Sequence, residues 1–132
     1  MMILAIRTDK PEAELGIYVD NSELAYVKWL AHRQLAETIH LQTEGLLSSA
    51  GKKLQDISGI IVFSGPGSFT GLRIGISMAN ALAYALGVPI VGSTDKNWVK
   101  AGHKLLNFTG QQKSGYVMPH YGAPAHLTLP RK

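Results

Sequence analysis

The sequence predicts an α/β domain, a single mixed sheet with helices covering its faces. Three observations predict it. The first thirty residues hold three short runs of β character separated by turn residues, and the period then becomes helical. From Ile57 onward, strand-like and helix-like runs alternate. A meander followed by βαβ units gives one sheet, antiparallel at one side and parallel at the other, with crossover helices against it.

In order, "MILAIRT" (Met2–Thr8) is a short apolar run that reads as a buried strand. "ELGIYVD" (Glu14–Asp20) and "ELAYVKWL" (Glu23–Leu30) alternate, and Asp20-Asn21-Ser22 supply the turn between them. From His32 to Ala50, Leu35, Ile39, Gln42, Leu46 and Ala50 fall on one helical stripe, and Gly51 follows as its stop. "ISGIIVFS" (Ile57–Ser64) is a strand, the segment from Thr70 to Leu86 a helix ending at Gly87, and "VPIVG" (Val88–Gly92) a strand. Ser93, Thr94 and Asp95 offer N-caps for a last helix reaching Asn107. The ribonuclease H-like core, of the actin and Hsp70 (ASKHA) type, has this order. Residues 1–107 are expected to form that domain, and 108–132, rich in Gly and Pro, a loop and extended tail.

Composition narrows the classes. With 132 residues, 45% apolar and 17% charged, the chain can bury a core of its own. It has no cysteine, which removes disulfides, thiolate metal sites and cysteine nucleophiles. A net charge of +4 on scattered Lys and Arg suggests only weak affinity for anions. "MMILAIRTD" has no basic n-region or cleavage site, so a cytoplasmic location is expected. The apolar stretch from Ile74 to Gly92 is broken by Asn80 and by Gly87-Val88-Pro89, which argues for a helix and a strand over a membrane span.

The densest signal is "FSGPGSFTGLRIG" (Phe63–Gly75). A Walker phosphate loop needs Lys where Leu72 stands, and a dinucleotide fingerprint needs Gly where Thr70 stands. A generic anion nest built on Gly65, Gly67, Ser68 and Thr70 remains, beside the simpler reading of a sharp turn capped by Ser68 or Thr70. Arg73, in the first helical turn, opposes the helix dipole, and reads either as a solvated charge or as one that faces an anion or partner. Gly71, Gly75, Ala79 and Ala83 recur every four residues, a stripe almost without side chains, while Leu72, Ile76, Leu82 and Leu86 supply a core stripe. A smooth stripe admits a close helix, either a partner's or the domain's own first helix. On the partner reading, Gly75→Leu or Ala79→Leu leaves the monomer folded and abolishes binding.

"MILAIRTD", "RQLAETI", the run "GIIVFSGPGSFTGLRIGISMANALAYALGVPIVGSTD" and the tail "MPHYGAPAHLTLPRK" together resemble the TsaB (YeaZ-like) family, whose members are needed for threonylcarbamoyladenosine formation on tRNA. The resemblance implies a shortened, single-domain form with a non-catalytic role. It implies pairing with a TsaD-type transferase through a helix bundle, recruitment of a TsaE-type ATPase, self-association through the same helices, and only indirect contact with tRNA. Carried over by position, the pairing surface comprises Leu35, Ile39, Gln42 and Leu46 of the first helix with Gly71, Arg73, Gly75, Ala79 and Ala83 of the second. Where relatives carry Asp after the first strand this chain has Arg7, and the usual His of the first helix is replaced within Leu35-Ala36-Glu37. A guanidinium cannot hold Mg²⁺, so no cofactor is expected. The competing reading is an ATP-binding or glycoprotease-like enzyme of the same fold.

Other sites are thin. Histidines 32, 40, 103, 120 and 126 contain no H-x-x-x-H pair, so no metal is expected. Asp9, Asp20, Glu37, Asp56 and Asp95 would have to converge to make a two-metal nuclease, with Arg7 at the anchoring position. No G-x-S-x-G elbow is present.

Overall fold

The computed structural model describes residues 1–94, 96–108 and 117. The tail anticipated beyond Asn107 lies outside them apart from Phe108 and Val117, as do Asp95, His120, His126 and the side chain of His32. Five strands, β1 (Met2–Arg7), β2 (Glu12–Val19), β3 (Ser22–Leu30), β4 (Ile57–Phe63) and β5 (Ile90–Ser93), form one sheet in the order β3-β2-β1-β4-β5. β2 runs antiparallel to β1 and β3, whereas β4 runs parallel to β1 and β5. This is the ribonuclease H-like arrangement that the element order predicts.

Three helices complete it: α1 (Leu35–Ser49), α2 (Phe69–Leu86) and α3 (Trp98–Phe108). Asp20 and Asn21 take left-handed backbone (φ 51° and 71°), which makes the tight β2–β3 hairpin. Gly87, with φ 68°, ends α2 where a side chain would be strained. β5 begins at Ile90 rather than Val88, because Pro89 has no N–H to donate; its carbonyl still accepts from the Ile60 N–H at 3.0 Å. The expected caps differ as well. Ser68 precedes α2 but makes no side-chain cap bond, and Ser93 ends β5, its Oγ donating to the Trp98 carbonyl at 2.7 Å.

α1 and α2 cover one face of the sheet and α3 the other. Alternation along β1 sends Leu4 and Ile6 toward α1 and α2, and Ile3, Ala5 and Arg7 toward α3. Leu4, Ile6, Leu15, Ile17, Ile60 and Val62 are fully buried between sheet and helix pair. On the α3 side, Phe63 and Trp98 meet edge to face at 6.0 Å, and a Cβ on Gly102 would come within 2.4 Å of Ile61.

Two tyrosines on that second face make stability depend on alkali. Tyr18 and Tyr26 close over Gly16, where an added Cβ would lie 2.9 and 2.8 Å from their rings. Burial first, then the charges of Glu23 and Glu14, push the Tyr18 phenol up to about 12. Burial and the hydrogen bond that its hydroxyl donates to Glu14 push Tyr26 up further. The folded chain therefore keeps both protons above pH about 10, where the unfolded chain loses them. Stability is full below that pH and falls above it, by at most about 1.4 kcal/mol per pH unit for each tyrosine. Urea midpoints followed from about pH 8 to about pH 12 should drop in this way, and Tyr18→Phe should make the drop shallower.

Candidate functional site

The glycine turn is shaped by the chain's own first strand. Thr8 and Asp9, just past β1, pass directly beneath the start of α2. A Cβ on Gly67 would stand 2.5 Å from the Asp9 Cβ, one on Gly71 2.2 Å from the Thr8 carbonyl oxygen, and one on Gly75 2.1 Å from Thr8 Oγ1. The contact is hydrogen-bonded too. Thr8 Oγ1 donates to the Gly71 carbonyl at 2.7 Å and the Ser68 N–H to the Asp9 carbonyl at 3.3 Å. Glycine recurs every four residues because the strand end comes within a side chain's radius of the helix axis.

The stripe of small residues therefore faces inward, which corrects the expectation that it is a bare outer surface. Ala79 and Ala83, which continue it, are 0% and 4% exposed. Leu35, Ile39 and Leu46 are likewise core residues, and Gln42 is half-buried. Of the residues assigned to partner binding, Arg73 alone among the described ones is exposed. The reason is the sheet beneath α2. The chain just past β1, its central strand, needs a smooth helix above it, and that need is satisfied within the chain.

Arg7 has a partner of its own. Its Nε donates to Asp9 Oδ1 at 2.7 Å and its Nη2 to Oδ2 at 3.2 Å, with the guanidinium stacked 3.9 Å from the Phe63 ring centre. Burial works against the charge, but the Asp9 hydrogen bond and charge, with Glu14 behind them, hold its pKa above the ordinary value. Both carboxylate oxygens of Asp9, a buried residue, are engaged by this pair. Among the described residues no three His, Asp or Glu side chains gather into a metal cluster. Ser68 and Thr70 line a shallow cavity of about 230 Å³ with Thr8, Lys10 and Leu35, while Gly65 and Gly67 stand apart from it.

The open feature is a groove of about 720 Å³ between α1 and α2. Ile39, Thr43 and Met78 form its floor, and Ala81, Leu82, Ala85 and Ile74 its α2 wall. His40, Glu44 and Arg73 stand at its margins. On α2 the outward positions are Thr70, Arg73, Ser77, Ala81 and Tyr84, the last 90% exposed. Leu41 of α1, 69% exposed, adds a second bare apolar side chain. The signal was available in the sequence, since Thr70, Arg73, Ser77, Ala81 and Tyr84 step by three and four. It was masked by the stronger small-residue pattern on the opposite face. Among the described residues no helix is long and apolar enough to cross a membrane.

Comparison with known proteins agrees with this fold. Residues 28–96, more than half of the chain, match the model of the TsaD family, described as tRNA N6-adenosine threonylcarbamoyltransferase. The tRNA threonylcarbamoyladenosine biosynthesis protein TsaB of Escherichia coli K12 is 35% identical over 92 residues, 70% of this chain and 39% of that protein. TsaB of Bacillus subtilis 168 is 34% identical over 124 residues, 93% of this chain and 51% of that one. A tRNA N6-adenosine threonylcarbamoyltransferase of Geotalea uraniireducens is 51% identical over 63 residues, 48% of this chain and 18% of that protein. The chain thus spans from about a fifth to about half of the length of these curated relatives. The solved structure of YeaZ from Pseudomonas aeruginosa superimposes with a TM-score of 0.66 at 29% identity, over 71% of this chain and 44% of that one. With the family model spanning both helices of the groove and the TsaB proteins matching most of its length, the chain belongs to the TsaD family as a TsaB/YeaZ-like member.

Proposed function

We propose that the chain is a non-catalytic scaffold subunit in threonylcarbamoyladenosine formation on tRNA, and that it activates a TsaD-type transferase by docking α1 and α2 against the partner's helices. The observation that carries this reading is the α1/α2 groove. It has an apolar floor and small side chains at Ser77, Ala81 and Ala85 that let a helix approach, and the same two helices carry two exposed apolar residues outside its lining, Leu41 and Tyr84. A TsaE-type ATPase would join through the complex, and self-association would use the same groove in the partner's absence. The Arg7–Asp9 pair supports the scaffold role, because it consumes the carboxylate nearest the glycine turn.

Ala81 is exposed at the centre of the α2 wall, so a large charged side chain there leaves the core untouched. Ala81→Arg is expected to weaken co-purification with the cognate TsaD-type protein at least about 30-fold, the scale of one lost hot spot. Ala81→Ser should bind as the unaltered chain does. Size-exclusion chromatography of the mixed proteins reads this directly, and undiminished complex with Ala81→Arg overturns the reading.

A further inference from the structure

On the other face of the sheet, the structure assigns a second docking surface, for the phosphodiester backbone of RNA. This inference rests on the tRNA reading above and deepens it. Lys96, Lys100 and Lys104 are spaced four apart along one side of α3 and its lead-in turn, and all three are exposed. They border a groove of about 600 Å³ against the β2–β3 hairpin, where Asn97, Asn107 and His103 also contribute. No carboxylate lines the groove among the described residues. Just outside the lining, Asp20 pairs with the N-terminal ammonium at 3.5 Å, and Glu23 and Glu14 act on the phenol of Tyr18, which borders the hairpin side of the groove.

Helix stability does not explain these charges. Lys96 lies at the N-terminal end of α3, where the dipole disfavours a cation, and like charges four apart repel by a few tenths of a kcal/mol per pair. A lysine row that breaks local rules, beside a groove with no carboxylate in its lining among the described residues, fits an external anion.

His103 gives an independent indication. Its Nδ1–H donates to the Val99 carbonyl at 3.0 Å, which fixes the tautomer and leaves Nε2 as an acceptor. The imidazole meets the Tyr18 ring edge to face at 5.4 Å between ring centres, and its Nε2 is buried and has no hydrogen-bond partner. An imidazole turned toward the groove would offer this acceptor to a ribose hydroxyl, which DNA lacks at the 2′ position. Because α3 and the α1/α2 pair lie on opposite faces of the sheet, RNA and protein partner can be held together.

The test uses the full chain, with labelled tRNA and fluorescence anisotropy at several salt concentrations. Three neutralised phosphates predict an affinity that falls roughly 40-fold between about 50 and about 200 mM salt. Replacing all three lysines (Lys96→Ala, Lys100→Ala, Lys104→Ala) should weaken binding at least about tenfold and flatten the salt slope by about two to three. The Lys→Arg triple should bind as the unaltered chain does. Duplex DNA of similar length should compete less well than tRNA. The inference is overturned if the Ala triple binds tRNA undiminished, if the unaltered chain binds none, if DNA competes equally, or if anionic phosphatidylserine vesicles bind more tightly than tRNA. Co-purification of the Ala triple with the TsaD-type protein is scored separately. Its retention keeps the scaffold reading standing when RNA binding fails, and its loss in an otherwise tRNA-binding chain separates the opposite case.

Discussion

Gly75→Leu is expected to abolish cooperative folding. The reason is geometric. A Cβ at position 75 would lie 2.1 Å from Thr8 Oγ1, 2.9 Å from its Cγ2 and 3.0 Å from its Cβ, far inside van der Waals contact. Thr8 is 1% exposed and tied to the Gly71 carbonyl, so it cannot turn away without giving up its hydrogen bond. Even Gly75→Ala should cost about 1 to 3 kcal/mol, the usual scale of an overpacked core, lowering the melting temperature by about 4 °C per kcal/mol. Four carbons at that point exceed what a domain of this size can absorb. Because Thr8→Ala removes two of the three crowded atoms, Gly75→Ala combined with Thr8→Ala should be less destabilised than the two changes summed, by about 0.5 to 3 kcal/mol. Circular dichroism melts of the four chains measure the coupling. A Gly75→Leu chain that melts like the unaltered one would return the glycine stripe to the outer surface.

Arg7→Met should destabilise the chain by about 3 to 5 kcal/mol, because it strands the buried Asp9 carboxylate without its cation. The flat guanidinium also loses its seat on the Phe63 ring, worth about 1 kcal/mol. Arg7→Asp should be worse, since it sets two carboxylates side by side. Arg7→Lys should recover only part, because a lysine has neither the fork that meets both Asp9 oxygens nor the plane that stacks. Arg7→Met with Asp9→Asn should regain most of the loss, since the uncompensated charge goes with it. Urea unfolding ranks these chains. An Arg7→Met chain within about 0.5 kcal/mol of the original would show that the pair contributes no more than an exposed one.

These two positions also mark the limit of reading along the chain. Element types and order were legible because burial stamps a period onto the sequence: Glu14–Asp20 alternates, and Leu35, Ile39 and Leu46 recur helically. Even α2's ends were visible, at the glycine turn and at Gly87. The direction of the small-residue stripe was not. Spacing shows that Gly71, Gly75, Ala79 and Ala83 share one side of a helix, but not what lies against that side. Arg7 was similarly legible only as a departure, since its meaning depends on Asp9 and Phe63, which reach it through two different strand ends.

The sequence by itself determined the meander, the crossover units, the closing glycines and the absence of any phosphate-loop lysine, all of which are local or periodic properties. Only the tertiary structure decided which side of α2 is covered, what neutralises Arg7, and that the groove and the lysine row occupy opposite faces. Those outcomes depend on which atoms approach within about 4 Å across the sheet, at separations along the chain where local pattern carries no information. Thr8 and Gly75 are 67 positions apart, yet an added methyl at one would strike the other.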